Sequence, residues 1–266
     1  MSHVDPVRVG RFEVDVVCEG FAPLPLDDEC PGRPVDWAEE RGLHPWAFHG
    51  SDAWAWHVHA FVVRGPSGTV VVDSGVGAFG PWRPWAVSHP AAWTGVDTAD
   101  VGHLVLTHLH ADHAGGAVVD GEPRFPNALV HVHPGDWAAF AGAEEGDYVA
   151  REPLEALVRA GTLQLDGGDR EVALGIWLRH SPGHTPGHRS VVVRDGGETL
   201  LITGDLLHLP IQAGHPSWPS SHDDDPRLGA ASRTVLLFRA RNSGWRVAVN
   251  HFAAPFGRVE PEGWST

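Results

Sequence analysis

The stretch Thr107-His108-Leu109-His110-Ala111-Asp112-His113 constrains this chain more than any other. Three imidazoles and a carboxylate fall within six residues, His108 to His113. Both are ligand types that zinc and related divalent ions prefer. The apolar run Val101-Gly102-His103-Leu104-Val105-Leu106 before them reads as a buried strand. Ala114-Gly115-Gly116 after them lets backbone pack closely. A strand that ends in ligands is how a rigid sheet presents a metal on a loop. The chain has 19 histidines, so a lone His at a strand tip would be read as a packing or solvated residue. Four candidate ligands in six positions need another explanation.

Composition narrows the function classes. The formal charge of −15 argues against a nucleic-acid partner or an anionic membrane. All 19 basic residues are Arg, which excludes a Lys Schiff base, a Lys nucleophile and a P-loop. The start, Met1 to Arg8, lacks a positive region followed by an apolar one, and no apolar run reaches the roughly 18 residues of a membrane helix. These features predict a soluble, cytoplasmic protein. Cys18 and Cys30 have no partner motif and are expected as free thiols, without sulfur ligation of a metal.

No linker or low-complexity run divides the 266 residues, which read as one domain over 1–266. Residues 1–50 hold an N-terminal strand pair and an irregular loop, with a short helix near Val35–Arg41. Strands are predicted at 54–63 and 69–73, the latter ending in Asp73-Ser74-Gly75. Residues 76–100 carry Phe79, Trp82, Trp85 and Trp93 among prolines and glycines and read as an aromatic loop near the site. A strand at 128–132 leads into a helix opened by Pro134, with a second helix at 152–160. The second half repeats this logic. A strand spans Val172 to His180, then comes the His-loaded turn 181–188, a hairpin around Asp195-Gly196-Gly197, and a long helix from Asp225-Pro226 to Asn242. A final strand ends at Asn250-His251. Two αβ units packed around a shared edge are expected, an α/β (α+β) architecture.

His184, Asp205 and His251 each stand at or just past a predicted strand end. With His108, His110, Asp112 and His113 they make seven candidate ligands. Seven are too many for one tetrahedral ion and suit two ions that share a bridging carboxylate.

In Val72-Asp73-Ser74-Gly75, the HxHxDH run at 108–113, Ser181-Pro182-Gly183-His184-Thr185-Pro186-Gly187-His188, Gly204-Asp205 and His251, the chain resembles the metallo-β-lactamase fold superfamily. The resemblance implies a four-layer αβ/βα sandwich and two divalent ions, zinc first among them. It implies one ion on His108, His110 and His184, the other on Asp112, His113 and His251, and Asp205 between them. Asp73 matches a carboxylate that orients a ligand loop, and His188 a turn residue that buttresses the site. The stretches 204–212 and 125–137 look like the branch containing N-acyl-homoserine lactonases and methyl parathion hydrolase. The lactonases carry a Tyr three residues after the bridging Asp; here that position is His208.

The implied mechanism uses a metal-bridging hydroxide, with Asp112 moving the released proton to the leaving oxygen. His208 would hydrogen-bond the developing oxyanion. His59, Phe79, Trp82, Trp85 and Trp218 are candidates for the pocket wall. The leading expectation is a hydrolase of a small ester, a lactone above all. A phosphotriester or aryl-ester hydrolase is the alternative, and an iron-dependent dioxygenase of the same fold a further one. A β-lactamase is disfavoured because several of those enzymes grip substrate with a Lys, and a metal-free binding protein because the ligand set is full. Partners are expected to be small molecules, with a homodimer possible through the aromatic loop or the N-terminal segment.

Overall fold

Long apolar runs dominate the strands, and their alternation decides which layer each side chain enters. In a computed structural model describing residues 4–26, 29–77, 93–142 and 151–266, these runs form two large sheets. The first is ordered Val7–Val9, Phe12–Pro25, Ala53–Gly65, Gly68–Val72, Val101–Val105, Leu129–Val132 and Leu163–Leu165, with Phe48–His49 added on Ala53–Gly65. The second is ordered Arg170–Ala173, Ile176–His180, Arg189–Asp195, Glu198–Ile202, Arg246–Ala248, Phe256–Glu260 and Gly263–Ser265.

Successive strand residues point to opposite faces. Phe61, Val63, Val70 and Val72 of the first sheet meet Leu178, Val191, Val193, Leu200 and Ile202 of the second in one central core. Their neighbours Ala60, Val62 and Val71 face the other way, against Phe140, Leu154 and Leu157 of the helices Pro134–Gly142 and Arg151–Arg159. Val192 and Leu201 pack on Leu236, Leu237 and Ala240 of the helix Pro226–Asn242. Strands buried on both faces therefore read as continuous apolar runs. The layers are helix, sheet, sheet, helix, as the motif resemblance implies.

Three expectations change. The two halves meet face to face through the central core rather than along an edge. The strand expected from Val172 to His180 is a hairpin, Arg170–Ala173 against Ile176–His180, because Gly175 adopts φ +79° and turns the chain. The short helix runs Trp37–Leu43, displaced from 35–41 because the Asp36 side chain accepts from the Ala38 and Glu39 amides and caps it. No helix among the described residues is long and apolar enough to cross a membrane.

Candidate metal centre

Gly68–Val72 runs parallel to Val101–Val105, and Glu198–Ile202 parallel to Arg246–Ala248, so within each pair the C-terminal ends lie together. Backbone bonds join the two sheets at that rim, Arg189 N to Thr107 O at 2.9 Å and His59 N to Asn250 O at 3.2 Å. Ligands from both halves meet there.

The seven candidates form two clusters that share Asp205: His108, His110 and His184 with Asp205, and Asp112, His113 and His251 with Asp205. In the first, His184 Nε2 lies 3.2 Å from His108 Nε2 and 2.9 Å from His110 Nδ1. Asp205 Oδ2 is 3.3 Å from His184 Nε2 and 3.7 Å from His108 Nε2. In the second, Asp205 Oδ1 is 3.0 Å from His113 Nε2 and 2.9 Å from His251 Nε2. Asp112 Oδ2 is 3.0 Å from His113 Nε2 and 3.5 Å from His251 Nε2. One carboxylate thus turns one oxygen to each cluster.

These spacings fit bound ions. Ligand atoms about 2.0–2.1 Å from a tetrahedral zinc lie about 3.3 Å from each other, the middle of the observed range. His113 Nε2, His251 Nε2 and Asp205 Oδ1 are buried and have no hydrogen-bond partner among the described residues. Orphaned polar atoms of this kind are costly unless something else meets them. Burial pushes the His108 and His184 imidazoles well below their usual range, so they stay neutral with a free lone pair. Burial works against the Asp205 carboxylate, but His113, His251, His208 and His108 hold it well below the usual range.

A second ring of contacts aims the ligands. Asp73 sits at φ +62°, a left-handed conformation that Asp tolerates better than most residues. Its Oδ1 accepts from Thr107 N at 2.8 Å. Its Oδ2 accepts from Thr107 Oγ1 at 3.0 Å, from His113 Nδ1 at 2.8 Å and from Asn250 Nδ2 at 2.8 Å. One carboxylate therefore ties the 107–113 loop to the residue before His251. His251 Nδ1 donates to the His57 carbonyl at 2.6 Å, which leaves Nε2 for an ion. His188 is no ligand. Its Nδ1 donates to Ser181 O at 2.9 Å, and its Nε2 accepts from Asp205 N at 2.9 Å. Gly204 has φ +58°, and a Cβ there would stand 2.7 Å from His188 Nε2, so glycine permits the approach. Asp136 accepts from Thr185 Oγ1 at 3.0 Å and Gly187 N at 2.5 Å, shaping the turn that carries His184.

A cavity of about 320 Å³ opens over the centre, reaching His110, Asp112, His184, Asp205 and His208. His208 Nε2 lies 3.2 Å from Asp205 Oδ2, and Gln212 Oε1 accepts from the His208 amide at 2.7 Å. Burial pushes the His208 imidazole down to about 3, so it acts as a neutral group. Leu24, Trp54 and Trp56 form an apolar wall, and Ser221, His222, Asp223 and Asp224 a polar one. His222 stacks on His208 with ring centroids 4.7 Å apart, and its Nε2 is 2.8 Å from Glu29 Oε2. Glu29 also accepts from Trp54 Nε1 at 3.1 Å. Burial works against a charge on His222, but Glu29 lifts it above the usual imidazole range.

The pocket wall differs from the one read in the sequence. His59 is buried with Nε2 2.9 Å from the Phe252 carbonyl and does not line this cavity. Trp218 stacks on His215 at 4.0 Å and lies under Arg33, also off the cavity. Trp93 is a core residue whose Nε1 donates to Glu19 at 2.9 Å. Phe79, Trp82 and Trp85 lie outside the described residues. Trp54, Trp56, Glu29 and His222 were the missed groups. Trp54 and Trp56 alternate with His57 and His59 along one strand, a pattern that already separated the two pairs onto opposite faces.

A four-layer sandwich with two His/Asp clusters on one rim defines a metallo-hydrolase. The chain belongs to the metallo-beta-lactamase superfamily, whose family model matches residues 53–243. It is 33% identical over 115 residues to an N-acyl homoserine lactonase of a Bacillus species, a match spanning 43% of this chain and 42% of that one. It is 29% identical over 238 residues to the N-acyl homoserine lactonase AttM of Azorhizobium caulinodans, covering 77% of this chain and 82% of that one. Among solved structures, it is similar to AidC, a dizinc quorum-quenching lactonase in complex with a homoserine product, with a TM-score of 0.80 at 20% identity over 99% of this chain and 96% of that one.

Proposed function

We propose that this chain is a dinuclear zinc hydrolase that opens small neutral lactones, acting in the cytoplasm on diffusible substrates. The observation that carries the reading is the Asp205 carboxylate split between two three-ligand clusters beneath a half-apolar cavity. When bound, the ion pair supplies a water made nucleophilic near neutral pH and polarises the scissile carbonyl. The chain's residues do the rest. Leu24, Trp54 and Trp56 receive the apolar part of the substrate. His208, neutral and facing the centre, hydrogen-bonds the oxygen on which charge develops. Asp112 takes the proton released on attack and passes it to the leaving oxygen, so that ring opening yields a single hydroxy acid. The relationship to N-acyl homoserine lactonases supports this substrate class, and the net charge of −15 suits an uncharged substrate better than an anionic one.

A phosphotriester or aryl-ester hydrolase is the second reading, favoured by His208 in place of the tyrosine of the lactonases. Purified protein assayed on acyl-homoserine lactones, γ- and δ-lactones, paraoxon-type triesters and cephalosporins separates the two. Lactones are expected to give the highest kcat/KM, with about two zinc per chain by elemental analysis. Dominant triester turnover would favour the second reading. Cephalosporin turnover above both, or a single iron per chain, would refute the proposal.

A further inference from the structure

Outside the centre just described, one more set of metal-type ligands converges among the described residues. Strand Phe12–Pro25 pairs antiparallel with Ala53–Gly65, with Cys18 opposite His59 and Phe21 opposite His57. Cys18 and Phe21 are three apart and would face opposite sides of a regular strand. A bulge between Cys18 and Gly20 inserts Glu19 and restores them to one face. Glu19 turns the other way, where it accepts from Val76 N at 2.8 Å and Trp93 Nε1 at 2.9 Å. Cys18 is directly opposite His59, so its thiol lies on the face that carries His57 and His59, and the bulge brings Phe21 to that face beside it. That face also carries Phe61 and Val63 of the central core, whereas Trp54 and Trp56, which line the substrate cavity, lie on the opposite one.

One ligand atom from each of Cys18, His57 and His59 lies within 4.8 Å of the other two. Cys18 Sγ is 3.9 Å from His57 Nδ1. A tetrahedral zinc would place sulfur and nitrogen about 3.6 Å apart. Side-chain adjustment of at most about 1.5 Å closes the set. His59 is 2% exposed; its Nε2 is committed to the Phe252 carbonyl, and its Nδ1 is buried without a hydrogen-bond partner. The thiol offers only a weak 3.7 Å bond to the Gly20 carbonyl, so little is given up on ligation. Cys18 and His57 are half-buried, so solvent reaches the cluster from their side.

From this geometry we propose a third metal site, a Cys18–His57–His59 zinc site of one thiolate and two imidazoles with one open position. Burial pushes His57 down to about 4 and His59 to about 3, so both imidazoles are neutral and available. The Cys18 thiol is raised by burial, so zinc binding near neutral pH releases one proton from Cys18 to solvent. The site has a route to the main centre. The His57 carbonyl accepts from His251 Nδ1, and the His59 carbonyl accepts from Asn250 Nδ2 at 3.0 Å. An ion there pins the backbone that aims His251.

Cys30, the other thiol, is buried in a separate apolar cluster and serves as the control. Wild type, Cys18→Ser, Cys30→Ser and His57→Gln are stripped of metal, reloaded with zinc for elemental analysis, and loaded with cobalt(II) for absorption spectra. Wild type and C30S are expected to take three zinc per chain and to show a thiolate-to-cobalt charge-transfer band in the near ultraviolet. C18S should take two and lose the band. H57Q keeps the thiol and should weaken the third ion, which preserves the test if C18S fails to fold. Two zinc per chain in wild type with no thiolate band would overturn the site. So would a band retained in C18S, or a third zinc that leaves no thiolate signature.

Discussion

The two clusters that share Asp205 are not braced alike. On the Asp112/His113/His251 side, the second nitrogen of each histidine is fixed, His113 Nδ1 by Asp73 at 2.8 Å and His251 Nδ1 by the His57 carbonyl at 2.6 Å. On the other side, His184 Nδ1 faces Asp223 Oδ1 at 3.7 Å, beyond hydrogen-bond range, and both atoms are buried without a hydrogen-bond partner. His108 Nδ1 has the Thr107 hydroxyl at 3.1 Å. His110 and His184 of the looser half line the cavity, with Asp112 of the rigid half beside them. The difference teaches a division of labour. On the proposed reading, one ion site is preformed by the fold, while the other keeps latitude beside the cavity.

The severest way to break this comparison is Asp205→Ala, which removes the carboxylate shared by both halves. Turnover should be abolished and metal content should fall below two per chain; unchanged turnover would refute the shared role. His208→Ala tests the cavity side alone. It should lower kcat by about 10²–10³-fold with metal content intact, and a change confined to KM would assign His208 to packing. Asp73→Ala loosens the rigid half and should weaken metal binding about 10–100-fold, measured by chelator competition. Asp223→Asn should weaken it by less than about tenfold, because His184 is only loosely held. An equal loss in both variants would erase the asymmetry.

The smallest effect on turnover is expected from Asp136→Asn, which acts on stability instead. Burial raises the Asp136 carboxyl from 3.8 to about 6, against the opposing bonds from Thr185 and Gly187. The folded state then binds this proton more tightly than the unfolded state does. Stability from this group is therefore highest below about pH 4, falls as pH rises to about 6, and stays level above. The fall amounts to about 3 kcal/mol. Denaturant titrations should show wild type losing this much relative to D136N between those pH values; parallel curves would rule it out.

Much of the centre was legible because its chemistry is local or follows a strong signal. His108 to His113 lie in one run, and His184, Asp205 and His251 each follow an apolar strand within a few residues. The facing of the two sheets was harder to read. Runs such as Thr69–Val72 and Glu198–Ile202 are buried on both sides, and a continuous apolar run does not say what covers each face. The hairpin at Gly175 was hidden because apolar residues continue through it. The cavity wall was least legible. Glu29 and His222 are 193 residues apart and meet only through the packing of two loops, which carry no periodicity. His59 and Trp218 were chosen by residue type, and their contacts are set by the Phe252 carbonyl and by His215. The pairing of Cys18 with His59 depends on the register between two strands well separated along the chain, so their meeting could not be read in the sequence.

Asp73 and the shared Asp205 have a mechanical consequence. His108, His110, Asp112 and His113 come from the first half of the chain, and His184, Asp205 and His251 from the second. The proposed ion pair would therefore add a cross-link between two sheets joined by apolar contact and a few hydrogen bonds at the ligand-bearing rim, closing loops of more than seventy residues. A chain stripped of its ions would keep each sheet and lose the clasp at one rim. Its two halves should then open at that rim first, while the far end of the sandwich stays shut.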